Sequence, residues 1–153
     1  MSDTPSERFQ QAISAQGGTA FLNALGAIVV EAVPGRSVMR LPYAPHLVGN
    51  PETGVVHGGA ITGLLDQACG MAVGSALSLR PPEDGGMRSI ATLDLRIDYL
   101  KAAKPGADIT VEAECVKITR QIVFARGRAF QESEGEPIAL ATAAFMITDL
   151  KPG

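Results

Sequence analysis

The chain has 153 residues, a formal net charge of −3 and 46% hydrophobic residues, which suits one domain with a real core and argues against a disordered chain. A mildly acidic chain has no general attraction for nucleic acid or anionic membranes, so any anionic ligand needs a local patch. Tryptophan is absent and only 5% of residues are aromatic, so the core must be built from Ala, Val, Ile and Leu.

The opening stretch, Met1-Ser2-Asp3-Thr4-Pro5-Ser6-Glu7-Arg8, is polar and does not read as a signal peptide, so the cytoplasm is the expected compartment. Residues 6–15 predict a short helix stopped by Gly17-Gly18, and residues 21–25 one further helical turn before Gly26. The N-terminal helical segment is thus expected over about 6–25. Residues 28–33 predict a strand, Pro34-Gly35 a turn, and residues 37–41 a returning strand. Residues 42–56, with Pro42, Pro45, Asn50, Pro51 and Gly54, predict a loop.

Residues 58–79 are too long an apolar run for a strand and predict a helix. It is apolar nearly all the way round, so burial on every side is expected. Asp66 and Gln67 near its middle argue against a membrane span. After a Pro- and Gly-rich loop over residues 80–88 the period changes to two. Leu93, Leu95, Ile97 and Tyr99 alternate with Thr92, Asp94, Arg96 and Asp98, which predicts a strand with one wet face. Lys104-Pro105-Gly106 turns the chain into a strand carrying Ile109, Val111, Ala113 and Cys115. Residues 121–131 and 137–148 predict further strands, with Glu134-Gly135-Glu136 as the hairpin turn. Two strands, one buried helix and a run of antiparallel strands imply a sheet curled around that helix. One domain over residues 1–153 is expected, with its core over about 26–149. Cys69 and Cys115 lie far apart in apolar stretches and predict buried free thiols.

Asp66 carries the most information. A carboxylate on a buried helix is costly unless it is paired, hydrogen-bonded or protonated. It either bonds neighbouring backbone, lies at a wet subunit interface, or does chemistry. His57-Gly58-Gly59 stands where the helix begins, either as a flexible junction with His57 as cap, or as open N–H groups that favour an anion or a developing oxyanion. Asn50 before Pro51 is a turn residue, or it positions a water or a substrate carbonyl. Lys117, Arg120, Arg126 and Arg128 fall in a window free of acidic residues between Glu114 and Glu132. They make either a solvated strand edge or a patch for a phosphate-bearing ligand. The two histidines, His46 and His57, fall in no metal-ligand spacing, and no G-x-S-x-G elbow, Walker motif or dinucleotide fingerprint is present. A carboxylate plus backbone donors remains, a set that can activate water or attack a carbonyl.

The run Asn50…Gly54-Val55-Val56-His57-Gly58-Gly59-Ala60-Ile61-Thr62-Gly63-Leu64-Leu65-Asp66-Gln67-Ala68 resembles the signature of the hotdog-fold thioesterases of the phenylacetate-degradation type. The stretch from Thr92 to Gly106 resembles that family's central strand and turn, and the likeness covers roughly residues 20 to 148. Asn50 stands one residue further from the His-Gly-Gly than the family pattern has it. The resemblance implies an α+β hotdog fold, a curved antiparallel sheet wrapped around a long central helix. It implies hydrolysis of an acyl-CoA thioester to free acid and CoA, without metal or cofactor. Asp66 would be nucleophile or general base, and the Gly58 N–H would polarise the carbonyl with His57 beside it. Asn50 would orient water or the thioester, and Thr92 would help position the attacking water. Lys117, Arg120, Arg126 and Arg128 are the candidates for holding CoA.

Spacing adds an oligomer. Gly58 and Asp66 are eight residues apart, about 12 Å along a helix at roughly 1.5 Å per residue. If both act on one thioester they come from different chains, and a two-fold axis makes two equal sites. A dimer with shared sites, assembled as a dimer of dimers into a homotetramer, is expected. Rival readings are a non-catalytic acyl-CoA-binding module, an acyl-thioester hydratase or dehydratase, and a purely structural protein.

Overall fold

Small side chains on one long helix and period-two apolar strands after it can share a core only if the sheet lies against the helix. A computed structural model describes residue 7 and residues 19–80, 82–83, 88–132 and 135–149. Apart from Glu7, which is helical, the helix expected over residues 6–15 lies outside the described residues, as do its Gly17-Gly18 stop, most of the 80–88 loop and Glu134.

Helix α1 is Ala20–Leu25, capped by the Thr19 hydroxyl, which accepts from the Leu22 N–H at 3.1 Å, and ended by Gly26 at φ 75°. Strands β1 (Ile28–Val33) and β2 (Arg36–Leu41) follow as expected. The segment expected as a plain loop instead holds a 3-10 turn, Pro45–Leu47, and a small hairpin of β3 (Val48–Asn50) and β4 (Val55–Val56). These strands are too short for period-two patterning to register. Helix α2 is Gly58–Leu77, and β5 (Arg88–Tyr99), β6 (Ile109–Ile118), β7 (Ile122–Phe130) and β8 (Ala139–Asp149) follow among the described residues. The main sheet runs β1-β2-β6-β7-β8-β5, antiparallel throughout. The strand that follows α2 is therefore an edge.

The long helix packs across this sheet through Ile61, Leu64, Leu65, Ala68, Cys69, Ala72 and Val73, all buried, against Met39, Val111 and Val123. Each such Leu contributes about 1.5–3 kcal/mol by leaving water. Two serines pin the layers: the buried Ser37 hydroxyl donates to the Ala68 carbonyl at 2.7 Å, and Ser75 accepts from the Gly35 N–H at 3.2 Å. Glycine sets the approach distance, since a Cβ on Gly127 would stand 3.3 Å from Leu65 and 3.2 Å from the Glu112 carbonyl. By length and hydropathy alone α2 would suit a membrane span, but half of it is buried inside the fold.

Two expectations need correction. The helix is not buried on every side: Thr62, Gly63, Asp66, Gln67, Gly70 and Gly74 form a half-open stripe. It reads as apolar because its residues are small, not because the sheet surrounds it. The wet face of β5 holds from Asp94 onward, but strict alternation fails at Thr92 and Leu93. The register slips between Thr92 and Asp94, leaving Leu93 as an extra residue. Before this bulge Thr92 pairs with buried Phe145 and faces α2. Beyond it Leu95 and Ile97 do, while Leu93 is 50% exposed.

Candidate active site

The backbone donors at the start of α2 can be accounted for one by one, because a helix start leaves N–H groups without intrahelical partners. The His57 N–H bonds the Leu47 carbonyl at 2.7 Å. The Gly59 N–H is capped by His57 Nδ1 at 2.8 Å, and the Ala60 N–H reaches the His57 carbonyl at 3.0 Å. Only the Gly58 N–H makes no hydrogen bond among the described residues. Of the two readings of His57-Gly58-Gly59, His57 as cap holds, and the capping leaves one donor open at the positive end of a twenty-residue helix. Acceptance at Nδ1 puts the proton of the neutral His57 ring on Nε2.

Two turns along, Asp66 lies half-buried in the open stripe and accepts from the Thr92 hydroxyl at 3.1 Å. The β5 bulge creates this pair by turning Thr92 toward α2. Asp66 in turn acts on Cys69: burial first, and the nearby carboxylate second, push that thiol up to about 12. Cys69 is buried and Cys115 only half-buried, so the second of the two expected buried thiols is partly open; both are free.

Sequence reasoning missed Tyr99 and Thr62. The Tyr99 hydroxyl donates to the Gly58 carbonyl at 2.6 Å and also bonds the Thr62 hydroxyl. An aromatic ending the inward phase of an alternating strand was the available signal, but contact with the helix start depends on tertiary packing.

Asn50 is in the turn. Its Oδ1 accepts from the Glu52 N–H at 3.0 Å and its carbonyl accepts from the Thr53 and Gly54 N–H groups. Its side-chain amide NH2 is what it could still offer a ligand. The cationic window divides. Gly127 faces α2, so Arg126 and Arg128 project from the opposite face of the sheet to Asp66. There Arg126 pairs with Glu114, and Arg128 with Glu112 at 3.1 Å, directly across the β6–β7 ladder. The stretch lacks acids along the chain but not across strands. Lys117 and Arg120 are exposed at the β6–β7 hairpin. That hairpin continues from the cross-strand row Val123–Phe145–Thr92, at the Asp66 end of the sheet.

No group of three or more His, Cys, Asp or Glu able to hold a metal occurs among the described residues. A cleft of about 80 Å3, lined by residues such as Lys101, Lys104, Gln131 and Glu132, lies away from Asp66.

A long helix laid on a six-stranded antiparallel sheet, with a carboxylate and a free helix-start amide on its open stripe, defines a hotdog-fold protein of α+β class. The Thioesterase superfamily model matches residues 53–138, and the chain belongs to that family. A protein of Escherichia coli named medium/long-chain acyl-CoA thioesterase YigI is 34% identical over 109 residues, covering 67% of this chain and 69% of that one. Curated relatives are matched over 60% to 69% of their own length. A crystal structure of a Pseudomonas aeruginosa protein superposes with TM-score 0.69 at 39% identity, covering 93% of this chain and 96% of that chain. The Escherichia coli PaaI protein from the phenylacetic acid degradation operon has the same fold, with TM-score 0.76 at 19% identity over 94% of this chain and 95% of that one.

Proposed function

We propose that the chain hydrolyses an acyl-CoA thioester to a free acid and CoA at sites assembled from two subunits. The carrying observation is the division of the chemistry along α2, with the single open amide at Gly58 and the carboxylate about 12 Å further on. The open amide suits the oxygen that becomes negative when the thioester carbonyl is attacked. As a general base, Asp66 takes a proton from water while the hydroxide adds to the carbonyl carbon. The carbon–sulfur bond then breaks and the thiolate leaves to be protonated. As a nucleophile, the carboxylate adds to the carbonyl carbon, the carbon–sulfur bond breaks to release the CoA thiolate, which is protonated, and water then cleaves the resulting anhydride to free acid and the Asp66 carboxylate. In both cases the Thr92 hydroxyl, by donating to Oδ1, fixes the carboxylate and keeps lone pairs for an incoming water.

Strand β5 supports the two-subunit reading. It is a twelve-residue edge without Pro or Gly, the kind of edge that templates pairing with another chain. Antiparallel pairing of two β5 strands centred on Leu95 sets Asp94 opposite the partner's Arg96 twice over, a favourable cross-strand arrangement. Phe124, Leu140 and Met146, partly exposed on the outer face of the sheet, favour a second contact between dimers.

Lys117 and Arg120 take the CoA phosphates in this reading, because Arg126 and Arg128 are already paired on the other face. The alternative of an acyl-CoA-binding module needs no Asp66–Thr92 pair. The test is thiol release from a panel of aryl-, short-, medium- and long-chain acyl-CoAs by wild type and Asp66→Asn. Wild type should turn over at least one member, and Asp66→Asn should keep less than about a tenth of that kcat, a barrier increase above about 1.4 kcal/mol. Comparable rates for the two proteins would remove Asp66 from the chemistry.

A further inference from the structure

An oxyanion donor works only if its direction is held before the charge develops. Gly58-Gly59 is the least restrained sequence available for that task, since glycine has the widest choice of backbone conformations. Something outside the helix must restrain it. His57 holds the second glycine through its N–H. Gly58 itself is held from β5. The Tyr99 hydroxyl donates to the Gly58 carbonyl at 2.6 Å, and the hydroxyl end of the ring stands against the position a side chain would fill: a Cβ on Gly58 would stand 3.3 Å from both Cζ and Oη of Tyr99. A phenol has one proton. That proton is committed to Gly58, so the Thr62 hydroxyl donates to Tyr99. The chain runs Thr62 Oγ1–H to Tyr99 Oη–H to the Gly58 carbonyl, and it ties the first and second turns of α2 to the end of β5.

Resting on the thioesterase reading above, we infer that Tyr99, itself oriented by Thr62, is a positioning residue that fixes the Gly58 peptide so that its free N–H points at the substrate carbonyl. Glycine at 58 then leaves room for the ring that holds its peptide. A group that acts only on the direction of an oxyanion donor affects the transition state more than the bound ester. Its loss should therefore appear in kcat rather than in KM.

The experiment uses the full chain in its native oligomer. Tyr99→Phe keeps the ring and deletes the donor. It should lower kcat on the order of tenfold, with KM within about twofold, less than the 100-fold or more that losing a whole oxyanion donor costs. Thr62→Val should lower kcat in the same direction, and Thr62→Ser, which keeps the hydroxyl, should restore most of it. Independently of turnover, the 15N order parameter of Gly58 should be near about 0.85 in wild type and fall toward about 0.6 in Tyr99→Phe. Gel filtration and circular dichroism check that the oligomer is intact. If Tyr99→Phe fails to fold, the Thr62→Val and Thr62→Ser pair decides on the same criteria. Wild-type kcat in the folded variants, or an unchanged Gly58 order parameter, overturns the inference. If wild type cleaves none of the acyl-CoAs, the thioesterase reading fails while the order parameter still decides whether Tyr99 holds Gly58.

Discussion

Mixing two variants expected to be inactive tests the proposal of a shared site most directly. In one, Asp66→Asn removes the carboxylate. In the other, Gly58→Val blocks the carbonyl position. A side chain at 58 first meets the Tyr99 ring at 3.3 Å, and that ring is half-exposed and can move, so the second variant should still fold. Gly58 and Asp66 are eight residues apart on one helix, about 12 Å, which a two-carbon acidic side chain cannot bridge. Each homodimer then has two defective sites and should be inactive. After unfolding and refolding together, random pairing makes about half of the dimers mixed. By two-fold symmetry each mixed dimer has one site with both defects and one with neither. Thiol release per subunit should return to about a quarter of the wild-type rate. Gel filtration and circular dichroism establish that mixed dimers form and are folded. If they are, and no activity returns, the two residues do not serve one site across an interface.

Five further outcomes follow from particular residues. Thr92→Val removes the hydrogen bond to Asp66 and should lower kcat by about tenfold, with thermal stability changed little, as read by steady-state kinetics and melting. Ala at Lys117 or Arg120 should raise KM for acyl-CoA and weaken its salt dependence. Ala at Arg126 or Arg128 breaks exposed pairs worth about 0–1 kcal/mol and should leave KM unchanged. Gly127→Val forces a side chain against the Glu112 backbone and Leu65 and should cost about 1–3 kcal/mol in urea unfolding. The Cys69 thiol, held near 12 in the fold against 9.0 in the open chain, stabilises the protein fully below pH 9.0, a contribution lost as pH rises through about 12. By pH 10 wild type should lose on the order of 1 kcal/mol more than Cys69→Ala, measured by urea unfolding at pH 8 and pH 10.

Much of the architecture was legible in local pattern. A helix that is long, small-sided and apolar must be covered by other elements, and the period-two strands after it supply a sheet that can do so. Asp66 stood out because a carboxylate in such a helix needs a reason, and His57-Gly58-Gly59 because helix starts leave donors open. Both inferences use spacing along one element, which sequence carries fully. What the tertiary structure decided depends on register between elements. One inserted residue at Leu93 changes the phase of β5, and so whether Thr92 meets Asp66 or water. The pairing of β6 with β7 sets Glu112 and Glu114 against arginines that look unopposed along the chain. The edge position of β5 brings Tyr99 to the start of α2, forty-one residues back along the chain. These contacts join residues distant in sequence, and a single shift in pairing would remove each of them without altering any local pattern.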